Sequence, residues 1–144
     1  TNYGGNGTTT SNFRSGLQSY VSGKCRSIEY TTAISQEQLN VNVFKTAINN
    51  KQPVAVFLSK YTLVSLSGVH QETQLDEYNK LYYGGDHTVI CYGIREIKYY
   101  NQNGALINEY TLLMAATGYL QDSVGYILLD NRTRLIEGYA VNIY

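Results

Sequence analysis

Tyr83-Gly84-Gly85-Asp86-His87-Thr88-Val89-Ile90-Cys91-Tyr92-Gly93 is the stretch whose reading decides the fold. Gly84-Gly85-Asp86 has the composition of a loop and Thr88 to Tyr92 that of a strand, so His87 stands where the chain enters a sheet. A histidine there is held by the sheet but faces its end, where a second molecule can reach it. Imidazole takes and returns a proton near neutral pH without a large change in pKa. Taken alone, a histidine at the start of a strand is more often an ordinary hydrogen-bonding residue. Further on, Gly125-Tyr126-Ile127-Leu128-Leu129-Asp130-Asn131 is another apolar strand with Asp-Asn at its exit.

Outward from His87 the chain reads as consecutive strands. Residues 87–99 and 105–118 are joined by Asn101-Gln102-Asn103-Gly104, a hairpin signal because Asn-Gly supplies positive φ at low cost. Strands 125–130 and 138–143 follow. Upstream, Asn49 to Pro53 is a turn before Val54-Ala55-Val56-Phe57-Leu58, whose unbroken apolar run predicts a strand covered on both faces. Ser35 with Gln38 is a capping box, predicting a helix through about Asn49 with Leu39, Val43, Phe44, Ala47 and Ile48 on its apolar face. Residues 25–32 read as a half-exposed strand. Thr10 or Ser11 caps an earlier helix carrying Phe13, Leu17, Tyr20 and Val21, which Ser22-Gly23-Lys24 ends. Residues 1–8 read as loop, and 60–82 as a long loop with a short helical piece. Helices first and an antiparallel meander afterwards give an α+β fold, with residues 1–144 as one domain.

Composition narrows the function. Eleven acidic and eleven basic side chains give zero formal charge, and neither sign forms a run. Nucleic-acid partners favour a basic patch, so they are set aside. No apolar stretch approaches the ~20 residues of a membrane span, and there is no secretory signal. Fifteen tyrosines, no tryptophan and one proline, amid much Asn, Thr, Ser and Gly, lean toward β structure and an extracellular or cell-surface protein. Cys25 and Cys91 lack the CxxC spacing of a zinc site and are read as free thiols, at least one of them buried. His70 with Glu72 and Asp76 has too few histidine or cysteine ligands for a metal site. Gly4-Gly5-Asn6-Gly7 lacks the Lys-Ser/Thr that follows the glycines of a phosphate loop. No metal or other cofactor is expected. Tyr82-Tyr83 and Tyr99-Tyr100 are read as packing residues that can line a groove.

A base histidine needs a partner that fixes its tautomer and ring orientation. Asn131, or Asp130 if the register slips by one, is the candidate, at the end of the next-but-one strand. Here a resemblance enters. His87-Thr88-Val89-Ile90-Cys91-Tyr92-Gly93-Ile94 resembles the His-Ala-Val-x-x-x-Gly-Tyr stretch of papain-like cysteine peptidases. Gly125 to Asn131 is similar to their Tyr-x-x-x-Lys-Asn-Ser-Trp stretch, and Gly138-Tyr139-Ala140-Val141-Asn142-Ile143 to their closing Gly-Tyr-x-x-Ile strand. A helix, then Lys51-Gln52-Pro53-Val54-Ala55-Val56, resembles what precedes the histidine in bacterial, bacteriocin-processing-peptidase-like members. Gly7-Thr8-Thr9-Thr10 and Leu17-Gln18-Ser19-Tyr20 add short matches, so the resemblance spans roughly residues 7–143.

The resemblance implies a papain-like fold in which N-terminal helices pack on a β half-barrel, thiol-dependent peptide hydrolysis, His87 as base and Asn131 or Asp130 as its orienter. It also implies a nucleophilic cysteine on a buried helix before this segment, and the sequence has none there. Cys25 is the upstream candidate, but it follows a helix C-terminus, which disfavours a thiolate. Cys91 shares the face of His87 but lies about 13 Å along the strand at ~3.3 Å per residue. The Asn-Ser-Trp signature is replaced by Asn131-Arg132-Thr133, without the tryptophan. The expectation is therefore a papain-like domain lacking its nucleophile segment and inactive alone, with a peptide or protein substrate. Its uncovered groove would be filled by an upstream fragment, a self-associated copy or a rearranged N-terminal segment. The alternative is a non-catalytic pseudo-peptidase or a tyrosine-rich extracellular binding module.

Overall fold

The computed structural model describes residues 9–64, 80–118 and 124–144. In chain order the elements are α1 (Thr10–Ser22), β1 (Ile28–Ser35), β2 (Gln38–Leu39), α2 (Val41–Asn49), β3 (Val54–Val64), β4 (Lys80–Tyr100), β5 (Leu106–Ala116), β6 (Val124–Leu128) and β7 (Arg134–Ile143). The strands form one antiparallel sheet in the order β2-β1-β7-β3-β4-β5-β6. The last strand also pairs with β3, through Thr62–Leu128, Leu63–Ile127 and Val64–Tyr126, so β3 to β6 close into a ring. Fold class is α+β, with the expected meander rolled up and β7 placed between β1 and β3.

The unbroken apolar run of β3 makes this closure favourable. Val54 to Leu58 and Tyr61 to Val64 are all buried, on both faces of the strand. On one face Val54, Val56 and Leu58 pack with Val89, Cys91, Ala140 and, from α2, Phe44 and Ala47. On the other, Phe13 of α1 meets Phe57 edge-on at 5.6 Å between ring centres. The Arg14 guanidinium sits 4.8 Å from the Tyr30 ring and 5.0 Å from the Tyr139 ring, so α1 is held by a cation between two aromatic faces as well as by Phe13. The two helices thus pack on opposite faces of the sheet.

Several local expectations are corrected. Ser35 and Gln38 do not open a helix: Gln36 and Glu37 take positive φ of 50° and 63° and turn the chain from β1 into β2. The true cap is Asn40, whose side chain accepts from the Val43 amide at 3.1 Å. Turn chemistry outcompeted the capping pattern, and the Arg134 guanidinium, donating to Glu37, ties that turn to β7. Thr9, one residue before the expected caps, caps α1. Residues 60–64 and 80–82 are strand rather than loop, while the rest of that expected loop lies outside the described residues. Gly84 to Asp86 are also strand. The hairpin at Asn101 to Gly104 stands as expected, with Gly104 at φ 79°. Among the described residues no helix is long and apolar enough to cross a membrane.

Gly138 marks where the sheet tolerates no side chain. A Cβ there would lie 2.7 Å from Ile34 Cδ1 and 3.1 Å from Ile34 Cβ, and Ile34 is both buried and stiff at χ1. Gly138→Ala should lower stability by about 1–3 kcal/mol, seen as a lower urea midpoint at unchanged m-value. Gly16, exposed on α1 with open space around it, is the counterpart: Gly16→Ala should raise stability by up to about 1 kcal/mol.

Candidate active site

His87 pairs with Leu58 across β3 and β4, so their side chains share one face of the sheet. Beyond this pair the register shifts: Lys60 pairs with Gly84 and Tyr61 with Tyr83, leaving Ser59 opposite Gly85 and Asp86. Gly85 has φ +99°, a conformation that costs glycine little and other residues much. The irregularity turns Tyr61 to the face of Leu58 and His87. Regular alternation would have sent it to the other side. The Tyr61 ring, 1% exposed, lies nearly parallel to the His87 imidazole, 20° apart with centres at 5.9 Å. Tyr83 stacks on the same tyrosine at 5.2 Å and 13°.

The second constraint on His87 comes from the end of β5. Ile90 pairs with Ala116, so Thr117, the residue after β5, lies beside Val89, two residues along β4 from His87. There the Thr117 carbonyl oxygen sits 2.7 Å from His87 Nε2. A carbonyl can only accept, so in the neutral ring Nε2 carries the proton and Nδ1 is the basic nitrogen.

Asp130 and Asn131 lie elsewhere. The Asp130 carboxylate accepts from the Thr62 hydroxyl at 3.0 and 3.1 Å and from the Arg132 amide at 3.0 Å. The Thr133 hydroxyl donates to the Leu128 carbonyl at 2.6 Å and accepts from the Thr62 amide at 3.1 Å. Thr62 neighbours Tyr61 in β3 and so points to the face away from His87. It is also four residues beyond Leu58, about 13 Å along the strand at ~3.3 Å per residue. Asn131 is exposed in the turn after β6. The expectation that Asp130 or Asn131 returns to the sheet end of His87 is therefore corrected by register. Orientation of the ring comes instead from β5, the direct hairpin partner of β4, through a main-chain atom. The Thr117-Gly118 pair closing β5 is its one sequence trace, since Gly118 leaves the strand at φ +78°.

Neither cysteine joins this group. Cys91 is fully buried between Val54 and Ala115, and desolvation drives its thiol pKa far up. Cys25 is exposed at φ +55° just past the end of α1. It precedes Ile28, which pairs with Ile143, whereas the partner of Leu58 in β7 is Leu135. That separates Cys25 from the His87 position by about 26 Å along β7 at ~3.3 Å per residue. His70, Glu72, Asp76 and Gly4 to Gly7 lie outside the described residues. Among the described residues no group of three or more His, Cys, Asp or Glu side chains could hold a metal ion. Tyr82 is covered by the Arg132 guanidinium at 4.0 Å, and Tyr99 packs edge-on against Tyr110.

No known protein family, curated protein or solved structure matches this chain.

Two expectations follow from these contacts. Asp130→Ala strands the hydroxyl of Thr62, which is fully buried, and should destabilise by about 1–3 kcal/mol in urea unfolding. In the native protein a soluble aromatic disulfide should titrate one thiol, Cys25, while Cys91 should react only after denaturation; a fast second thiol in the folded state would contradict the burial.

Proposed function

We propose that this chain is a papain-like α+β domain bearing the histidine part of a thiol-dependent peptide-hydrolysing site, with a nucleophilic cysteine outside this sequence. The observation that carries the reading is His87 held by the Thr117 carbonyl at Nε2. A base that moves a thiol proton must present one nitrogen reproducibly, and an Nε2–H held by a carbonyl makes Nδ1 the proton-accepting nitrogen of the neutral ring. In the proposed reaction His87 Nδ1 takes the proton of the thiol, the thiolate attacks a peptide carbonyl, and the imidazolium returns the proton to the leaving amine. The Thr117 carbonyl stabilises the imidazolium through its Nε2–H. His87 is the base; no metal or cofactor takes part. The substrate is a peptide or protein, and the setting is extracellular or at the cell surface.

A second reading is a non-catalytic binding module. What favours it is the distance of both cysteines from His87, together with exposed tyrosines such as Tyr20, Tyr92 and Tyr100. A peptide carrying a thiol-reactive electrophile, applied to the full-length gene product, separates the two. Peptidase chemistry predicts labelling of a cysteine outside this sequence, slowed roughly 10²–10⁴-fold by His87→Ala. Labelling indifferent to His87→Ala, or confined to Cys25, would leave the binding module.

A further inference from the structure

We propose that the outer edge of β4 from Ile94 to Tyr100 is an interface for a second copy of this chain. That copy adds the same strand, antiparallel, about a two-fold axis at Ile97, and the sheet runs on across the pair. The interface does not depend on the part His87 plays. β3 pairs with β4 between Lys80 and Cys91, and β5 pairs with Ile90 to Tyr100 on the opposite edge. Among the described residues, no strand pairs with β4 beyond Cys91 on the β3 side. The main-chain groups that face this open side follow from the other edge of the hairpin. The Thr111 carbonyl points away from β4, accepting from the Leu129 amide at 2.9 Å, and the Glu109 amide donates to Asn108 Oδ1 at 3.0 Å. Thr111 and Glu109 pair with Glu96 and Lys98. In an antiparallel ladder both residues of such a pair turn their main chain outward, so the N–H and C=O of Glu96 and Lys98 lie on the open edge.

Charge selects the occupant. In a two-fold antiparallel pair one residue lies on the axis opposite itself, and its neighbours oppose one another. An axis at Arg95, Glu96 or Lys98 sets like charges face to face, which is destabilising. Ile97 is the centre of the open stretch, and an axis there sets Glu96 against Lys98 of the second copy on both sides. These pairs exchange main-chain bonds as well as charge. Lys45 donates to Glu96 Oε2 at 2.9 Å, which leaves Oε1 for Lys98 of the second copy. Further out, Arg95 opposes Tyr99 of the second copy, a cation beside an aromatic ring, and Ile94 opposes Tyr100 of the second copy, a side chain 57% exposed in the single chain. Other edges fit less well. β1 bulges at Ala33 and carries Glu29 as its one charged residue, so a copy of itself offers it no opposite charge. The edge of β5 is capped at Glu109 by Asn108.

Sedimentation velocity of this chain, over a concentration series reaching the millimolar range, tests the interface. The unsubstituted chain should dimerise. Glu96→Lys and Lys98→Glu each set like charges across the axis and should raise the dissociation constant of the dimer about tenfold or more. Both side chains are exposed, and circular dichroism checks that the variants keep the fold. Mixed in equal amounts, the two variants set opposite charges together on both sides of the axis and should dimerise with each other. Should a reversed charge prevent folding, Lys98→Gln removes both ion pairs and should weaken the dimer several-fold. A chain that stays monomeric throughout, a dimer indifferent to these substitutions, or folded variants that fail to associate on mixing would overturn the proposal.

Discussion

Everything in this fold hangs on the apolar strand β3 and the break in its register at Ser59. The strand pairs with β4 along one edge and with β7 and then β6 along the other, so it is a wall of both the open sheet and the closed ring. Such a strand can have no solvent face, which is why its sequence is apolar without alternation. Before the break Val54, Val56 and Leu58 face α2; after it Tyr61 and Leu63 join the same core. Thr62 and the Asp130 network fall to the opposite side. Had the alternation run on unbroken, Thr62 would have been pressed against the main core and Tyr61 turned away from His87.

The polar contacts near the ring follow from that break. Thr62 carries a buried hydroxyl, and a buried hydroxyl without a partner costs about 1–3 kcal/mol. Asp130 removes that cost and, with Thr133, ties the turn after β6 onto β3. An aspartate at the end of an apolar strand thus serves as a clasp for the ring. It is needed where it is, and for that reason is not free to serve a histidine on the other face.

Strands were legible in this sequence wherever covalent preference and burial agreed. Val54 to Leu58 declared a doubly covered strand, and Asn101 to Gly104 declared a hairpin, because both signals are local. Helix α2 was legible in its apolar face but not in its start: Ser35 and Gln38 match a capping box, yet Gln36 and Glu37 adopt positive φ and Asn40 caps instead. Gly84-Gly85-Asp86 reads as loop because two glycines disfavour a strand. It is strand because β3 supplies ladder partners on both sides of the break, Lys60 for Gly84 and Leu58 for His87, and Gly85 absorbs the extra residue. His87 itself was visible. Its partner was not, since a main-chain carbonyl leaves no residue type to read, and Asn131 carries the expected chemistry in a register that sequence does not reveal.

A main-chain orienter changes what can alter the site. A side-chain amide is lost by one substitution, whereas the Thr117 carbonyl survives nearly any change at Thr117 and moves only if β5 moves. Its place depends on the β4–β5 register, including the irregularity between Cys91 and Gly93, where a Cβ on Gly93 would lie 2.6 Å from Met114 Sδ. The Thr117 carbonyl reaches His87 Nε2 from β5 and Leu58 faces His87 from β3, the two neighbours of the histidine strand in the sheet. The geometry of His87 is consequently a property of three strands in register rather than of the Asp-Asn pair at the end of β6.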